Sequence, residues 1–182
     1  MKKYIVLFTA ISSLTVWSQH GDYPQNEVKA NFLNILIQAS VELGYERFVD
    51  FNQSIEAELL FNDRVNYHSE KGARKFDTNS LKIGYVYYFG TENAGSGLYA
   101  NPFFKYRWGD FTDEVTVEDV RVSRKIDMNG FIIGIGAGYK WNGNDKFVFG
   151  PYVNVGRNFN DDSNDRFTAI EFNAGFSFGY RF

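Results

Sequence analysis

The stretch EFNAGFSFGYRF, residues 171–182, alternates without a break. Phe172, Ala174, Phe176, Phe178, Tyr180 and Phe182 hold every second position, and the residues between them are small, polar or charged. A helix repeats every 3.6 residues and a strand every two, so this is a strand with one apolar and one polar face. The same period recurs along the chain. In LKIGYVYYF, Leu81, Ile83, Tyr85, Tyr87 and Phe89 share a face; in MNGFIIGIGAGYKW, Phe131, Ile133, Ile135, Ala137, Tyr139 and Trp141 do. Ile55, Ala57, Leu59 and Phe61 repeat the pattern, as do Phe147, Phe149, Val153 and Val155.

Eight stretches read as strands: 27–34, 38–49, 52–62, 78–89, 97–108, 127–141, 146–158 and 166–182. Aromatic residues make up 19% of the chain, yet no apolar run approaches the roughly 18 residues of a membrane helix. Strands of this kind need an apolar medium on one side and a polar one on the other. A soluble sandwich and an outward-greasy barrel both satisfy that demand.

The polar faces separate the two architectures. They carry Lys29, Lys82, Lys105, Arg107, Lys140 and Arg181 against Glu42, Glu46, Glu56, Glu58 and Glu171. Six cations against five anions is near balance, as ions enclosed together require and ions facing water do not. The expectation is an all-β chain: an eight-stranded antiparallel transmembrane β-barrel, an up-and-down meander. A barrel of that size is just wide enough for side chains to fill. These eleven residues are expected to form an ion-pair network in the lumen, closing it to a wide channel.

The connections support a barrel with two unlike rims. VDFNQ, TENAGSG and NGNDK are short and turn-like, whereas DRVNYHSEKGARKFD and GDFTDEVTVEDVRVSRKI are long and charged. NFNDDSND is medium and acidic, and a short break around NILIQ is the first connection. Counting alternately puts the tight turns on one rim with both termini, as in barrels with periplasmic ends. EVTVEDVRV also alternates, so the barrel strands are expected to extend beyond the membrane as a hairpin.

MKKYIVLFTAISSLTVWSQ has the form of a secretory signal: Lys2 and Lys3, an apolar stretch from Tyr4 to Leu14, and Val16-Trp17-Ser18 before Gln19. Residues 1–18 are the expected signal peptide and 19–182 the barrel domain. Cleavage takes the formal net charge from −3 to −5, which argues against nucleic acid as a partner. With no cysteine there are no disulfides and no lipid attachment through an N-terminal thiol.

The last strand, ending Tyr180-Arg181-Phe182 with Phe178 before it, resembles the C-terminal assembly signal of small outer-membrane barrels of Gram-negative bacteria, the OmpA/OmpX type. LGYERF at 43–48, after VKANFLNIL, is similar to a widespread family of barrels with a Tyr-Glu-Arg strand. The resemblance implies location in the cell outer membrane with periplasmic termini, and insertion by the barrel assembly machinery through Phe178, Tyr180 and Phe182. It implies contact with outer-membrane lipid and lipopolysaccharide.

Three motifs suggest chemistry, and each has a plainer reading. GIGAG at 134–138 has the G-x-G-x-G spacing but sits inside a strand, so it is read as room for bulky lumen neighbours and not a nucleotide loop. His68-Ser69-Glu70 is the one candidate nucleophile set of the outer connections, but three successive extended residues send Ser69 away from its neighbours. His20 is expected on the other rim. Asp161, Asp162 and Asp165, with Asn160 and Asn164, suit Ca²⁺ in donor type but lack the glycine and terminal glutamate of an EF-hand. No cofactor and no metal are expected. The functional expectation is a non-enzymatic barrel with a structural or surface-interaction role through its outer connections. An accessory subunit of a larger outer-membrane complex and a rim-located lipid-modifying enzyme are the alternatives.

Overall fold

The computed structural model describes residues 23–34, 40–65, 75–90, 93–117, 120–144 and 146–182. Its strands are β1 (Asn26–Asn31), β2 (Val41–Asp50), β3 (Gln53–Phe61), β4 (Lys75–Tyr88), β5 (Gly97–Val117), β6 (Val120–Asp127), β7 (Gly130–Asn142), β8 (Phe147–Asn158) and β9 (Ile170–Arg181). Every pairing is antiparallel, in the order β4-β3-β2-β1-β9-β8-β7-β5-β6, and β4 also pairs with β5. That last pairing closes the sheet and excludes a sandwich. β6 and β7 follow one another across Met128-Asn129 and form a single stave, so nine strands make an eight-staved up-and-down barrel.

The first and last strands meet along the seam. Val28 lies opposite Tyr180 and Ala30 opposite Phe178. The Phe182 amide donates to the Asn26 carbonyl (2.9 Å), and the Asn26 amide donates to the Phe182 carbonyl (3.1 Å). Pairing to the final residue leaves that strand end no unpaired edge.

Pleating then sorts the side chains. The apolar set of β7 faces outward, with Phe131 at 51% and Ile135 at 61% exposure, while Ile132 and Lys140 between them are buried. Ile55, Leu59, Phe61, Leu81, Ile83, Tyr85, Tyr87, Phe147, Val153, Val155, Phe172, Phe176 and Phe178 are outward in the same way. The barrel is greasy outside and ionic inside.

β2 starts at Val41 and not at 38, and β4 at Lys75 and not at 78; three further differences shape the rims. β1 stops at Asn31 and not at 34, because the Asn31 side-chain oxygen accepts from the amides of Leu33 (3.0 Å) and Asn34 (3.3 Å) and starts a helical turn. The last strand begins at Ile170 and not at 166. Before it, NFNDDSND holds a short helix, Asp161–Arg166, capped by Asn160, whose side chain accepts from the Ser163 amide at 2.7 Å. Third, β5 runs for 21 residues, and beyond Thr112 its described pairing is with β6 alone. From Asp110 to Val117 it pairs with Val120–Asp127 of β6 as an antiparallel hairpin.

The seam can be tested directly, since the chain has no cysteine of its own. Val28→Cys combined with Tyr180→Cys should cross-link under mild oxidation, giving a species whose gel mobility changes on reduction. Paired antiparallel residues lie within the Cα separation a disulfide allows. A one-residue slip would put the thiols on opposite faces and abolish the bond.

Candidate functional site

Chemistry concentrates in the interior, because the pleat that turns tyrosines and phenylalanines outward turns every second residue inward. Glu46 of β2, Glu56 and Glu58 of β3, Lys29 of β1 and Lys82 of β4 meet near mid-barrel. Lys29 Nζ contacts Glu58 (3.1 Å), Glu46 (3.5 Å) and, more closely, Glu56. Lys82 contacts Glu58 (2.5 Å) and Glu56 (3.2 Å). Glu46 and Glu56 are cross-strand neighbours, an arrangement that destabilises unless a cation lies between them. Lys29 supplies that cation.

The chain of ions continues toward the turn rim. Lys140 bridges Glu46 (2.8 Å) and Glu27 (2.9 Å), and Glu27 also accepts from Arg181 Nε (3.0 Å). Toward the opposite rim a second group forms. Arg107 is 0% exposed and holds Glu171 with both terminal nitrogens (2.6 and 2.7 Å) while its Nε donates to Asp63 (2.9 Å). Lys105 binds the same two carboxylates at 2.9 and 3.4 Å.

Two carboxylates in these groups, Glu27 and Asp63, were not among the expected lumen residues. Glu27 was legible, since it stands two residues before Lys29 on the same face. Asp63 was not. Inward positions on β3 are even-numbered, and strict alternation sends residue 63 outward. Asn62 takes a left-handed conformation (φ 56°) that turns Asp63 back inside. Ten of the eleven expected residues stand in ion pairs. The exception is Glu42, whose oxygens accept, among the described residues, from neutral donors: Asn34 (2.8 Å), Asn31 (3.0 Å), Asn173 (3.2 Å) and the Tyr152 hydroxyl.

Apolar layers cap the ionic interior at both ends. At the loop rim, Val65, Phe76, Phe111, Ile126, Met128 and Phe167 form a buried cluster, with the Phe76 and Phe111 rings 4.6 Å apart. It joins three connections that read from sequence as separate charged loops. At the turn rim, Phe48, Val86 and Tyr88 pack together with Tyr23 and Tyr99 against them. Arg181 stacks over Phe48 (4.9 Å) and donates to the carbonyls of Ala94 (2.8 Å) and Gly95 (2.5 Å), drawing the fourth connection across the opening. Gly95 has φ 56°, and a Cβ there would strike the Phe48 ring, so glycine is required. Between the caps, two voids of about 20 and 30 Å³ remain, each room for about one water.

The motifs find these places. Gly134, Gly136 and Gly138 face Phe103, Asn154 and Tyr99, whose side chains occupy the space a Cβ would take. His68-Ser69-Glu70, His20 and residues 1–18 lie outside the described residues. Asp161 and Asp165 are exposed on the short helix, and among the described residues no three His, Cys, Asp or Glu side chains form a group able to hold a metal. Phe178, Tyr180 and Phe182 face outward on β9 and at its end.

No protein-family model matches the chain, and no curated protein sequence matches it. Among solved structures the fold is similar to the N-terminal β-barrel domain of Pseudomonas aeruginosa OprF. The TM-score is 0.50 at 15% identity, covering 90% of this chain and 100% of that one. The OmpA-type resemblance therefore holds for the fold. The comparison does not bear on the Tyr-Glu-Arg family.

Arg107 should be the costliest interior residue to lose. Arg107→Met leaves Lys105 as the one described cation for Glu171 and Asp63 and should destabilise the barrel by about 3–5 kcal/mol, as expected for a broken buried pair. Arg107→Met with Glu171→Leu should lose clearly less, because Lys105 and Asp63 remain matched. Urea unfolding in lipid vesicles followed by tryptophan fluorescence measures both.

Proposed function

We propose that this chain is a transmembrane barrel of the bacterial outer membrane, non-enzymatic and non-conducting, which acts through the surface its outer connections form. One observation carries the reading: large apolar side chains cover the outside of a closed sheet whose inside holds paired ions. In water that distribution exposes large apolar side chains on every stave; in a bilayer it is the expected one. The dimensions agree. From Phe131 to Trp141, β7 presents outward apolar residues over ten residue steps. At about 3.3 Å per residue and a tilt of roughly 40°, these span about 25 Å, the height of the apolar band of such barrels.

The rims add support. Tyr45, Tyr85, Tyr87, Tyr139, Trp141 and Tyr180 stand outward toward the turn rim, and Tyr106, Trp108 and Phe131 toward the loop rim, as two interfacial girdles. The turn rim, which holds both ends of the described chain, is then periplasmic. Export by the signal peptide at 1–18 and insertion through Phe178, Tyr180 and Phe182 belong to the same reading. The interior ions serve the fold: each described cation of the network is tied to carboxylates of the same barrel.

Lack of conduction follows from filling. An ion crossing the barrel would have to displace an aromatic layer, the paired charges and an apolar layer in turn. Reconstituted in a planar bilayer, the protein should show no steady large conductance. A sustained open channel would contradict the filled lumen, and a water-soluble, cooperatively melting monomer without surfactant would contradict the membrane reading itself.

A further inference from the structure

The largest cavity among those described lies at the turn rim. It is an open recess of about 510 Å³ where β4, β5 and β7 end, lined by Phe89, Leu98, Tyr139 and Trp141, with Asn93 and Asn142 among its polar groups. Pairing fixes the arrangement. The Phe89 amide donates to the Leu98 carbonyl (2.8 Å), and Leu98 lies opposite Tyr139. Three outward side chains therefore stand level on adjacent staves, with Trp141 one step nearer the rim. Gly90 and Gly97 complete the lining: a Cβ on Gly97 would come within 3.3 Å of the Gly90 Cα, and a Cβ on Gly90 would strike the Ser96 carbonyl. The recess exists because no side chain fills that part of it.

Its charge decides the ligand. Lys140 is the one cation in the lining, and it is 4% exposed with its ammonium bound to Glu27 (2.9 and 3.0 Å) and Glu46 (2.8 Å). It has no positive charge to offer a phosphate. The lining instead provides three aromatic rings and amide side chains, a set that attracts an ammonium through the negative faces of the rings. The rings are also continuous with the apolar exterior, so a ligand with acyl chains lies along the wall while its head enters the recess.

We infer that this recess is a binding site for a phospholipid with an ammonium headgroup, phosphatidylethanolamine, in the leaflet at the turn rim. The inference rests on the membrane reading above. The volume lies within the range of small-molecule sites and fits a headgroup with its glycerol.

Native mass spectrometry of the delipidated, detergent-solubilised protein tests it. Phosphatidylethanolamine and phosphatidylglycerol with the same acyl chains are titrated separately. One ethanolamine lipid should bind at least fivefold more tightly than the glycerol lipid. Trp141→Ala with Tyr139→Leu should remove that preference. Leu98→Trp, which fills the recess while leaving the apolar exterior intact, should do the same and serves if the double variant fails to fold. Equal affinity for the two lipids, or an unchanged preference in Leu98→Trp, overturns the site. Neither outcome touches the membrane reading, whose own failure appears as a protein that is soluble and monomeric without detergent.

Discussion

A pleated strand offers each side chain two directions, and closing the sheet makes one of them an enclosed space. Everything else in this barrel follows from what can be put there. Eight staves leave a core only a few side chains across, so an inward lysine or glutamate meets partners from two or three other staves whether it suits them or not. Buried charge is tolerated only when matched and hydrogen-bonded. The interior therefore has to be solved as a whole, and Lys29 touching three glutamates from two strands is one outcome.

This constraint explains which parts of the molecule were legible. Period-two alternation on β4, β7 and β9 transmits directly into exposure, so the fold class and the direction of nearly every wall residue can be read off the sequence. Near-balance of charge on the polar faces likewise anticipates an enclosed interior. What alternation cannot carry is any change of parity. Asn62 turns the chain through a left-handed conformation, and Asp63 consequently joins Arg107 inside, a placement no periodic rule assigns. The loop-rim cluster was hidden for another reason. Val65, Phe76, Phe111, Ile126, Met128 and Phe167 are single apolar residues scattered among charges, and only the closed topology brings them together.

The two ends of the barrel are sealed by different physics. At the loop rim, residues flanking three connections make a small conventional core. At the turn rim the seal is electrostatic as well as aromatic. Arg181 contacts Glu27, stacks on Phe48 and bonds the carbonyls of the fourth connection. Because Arg181 belongs to β9, which pairs with β1, one residue both lies on the seam and covers the lower opening. Until β9 is in place, Glu27 lacks one of its two cations and the fourth connection lacks its clamp.

Glu42 marks the boundary between these regimes. Each other carboxylate of the interior network answers to a lysine or arginine, whereas Glu42 is held by three asparagines and a tyrosine. Its donors come from β1, the turn after it, β8 and β9, and it sits where β1 ends early and the helical turn begins. Neutral donors fix direction without adding charge, which suits a position whose task is to anchor a chain reversal at the seam. A lysine here would have added an ammonium to an interior where Lys29 and Lys82 already share Glu56 and Glu58. Four short polar groups hold the carboxylate instead, and the ion-pair chain below it keeps its own balance.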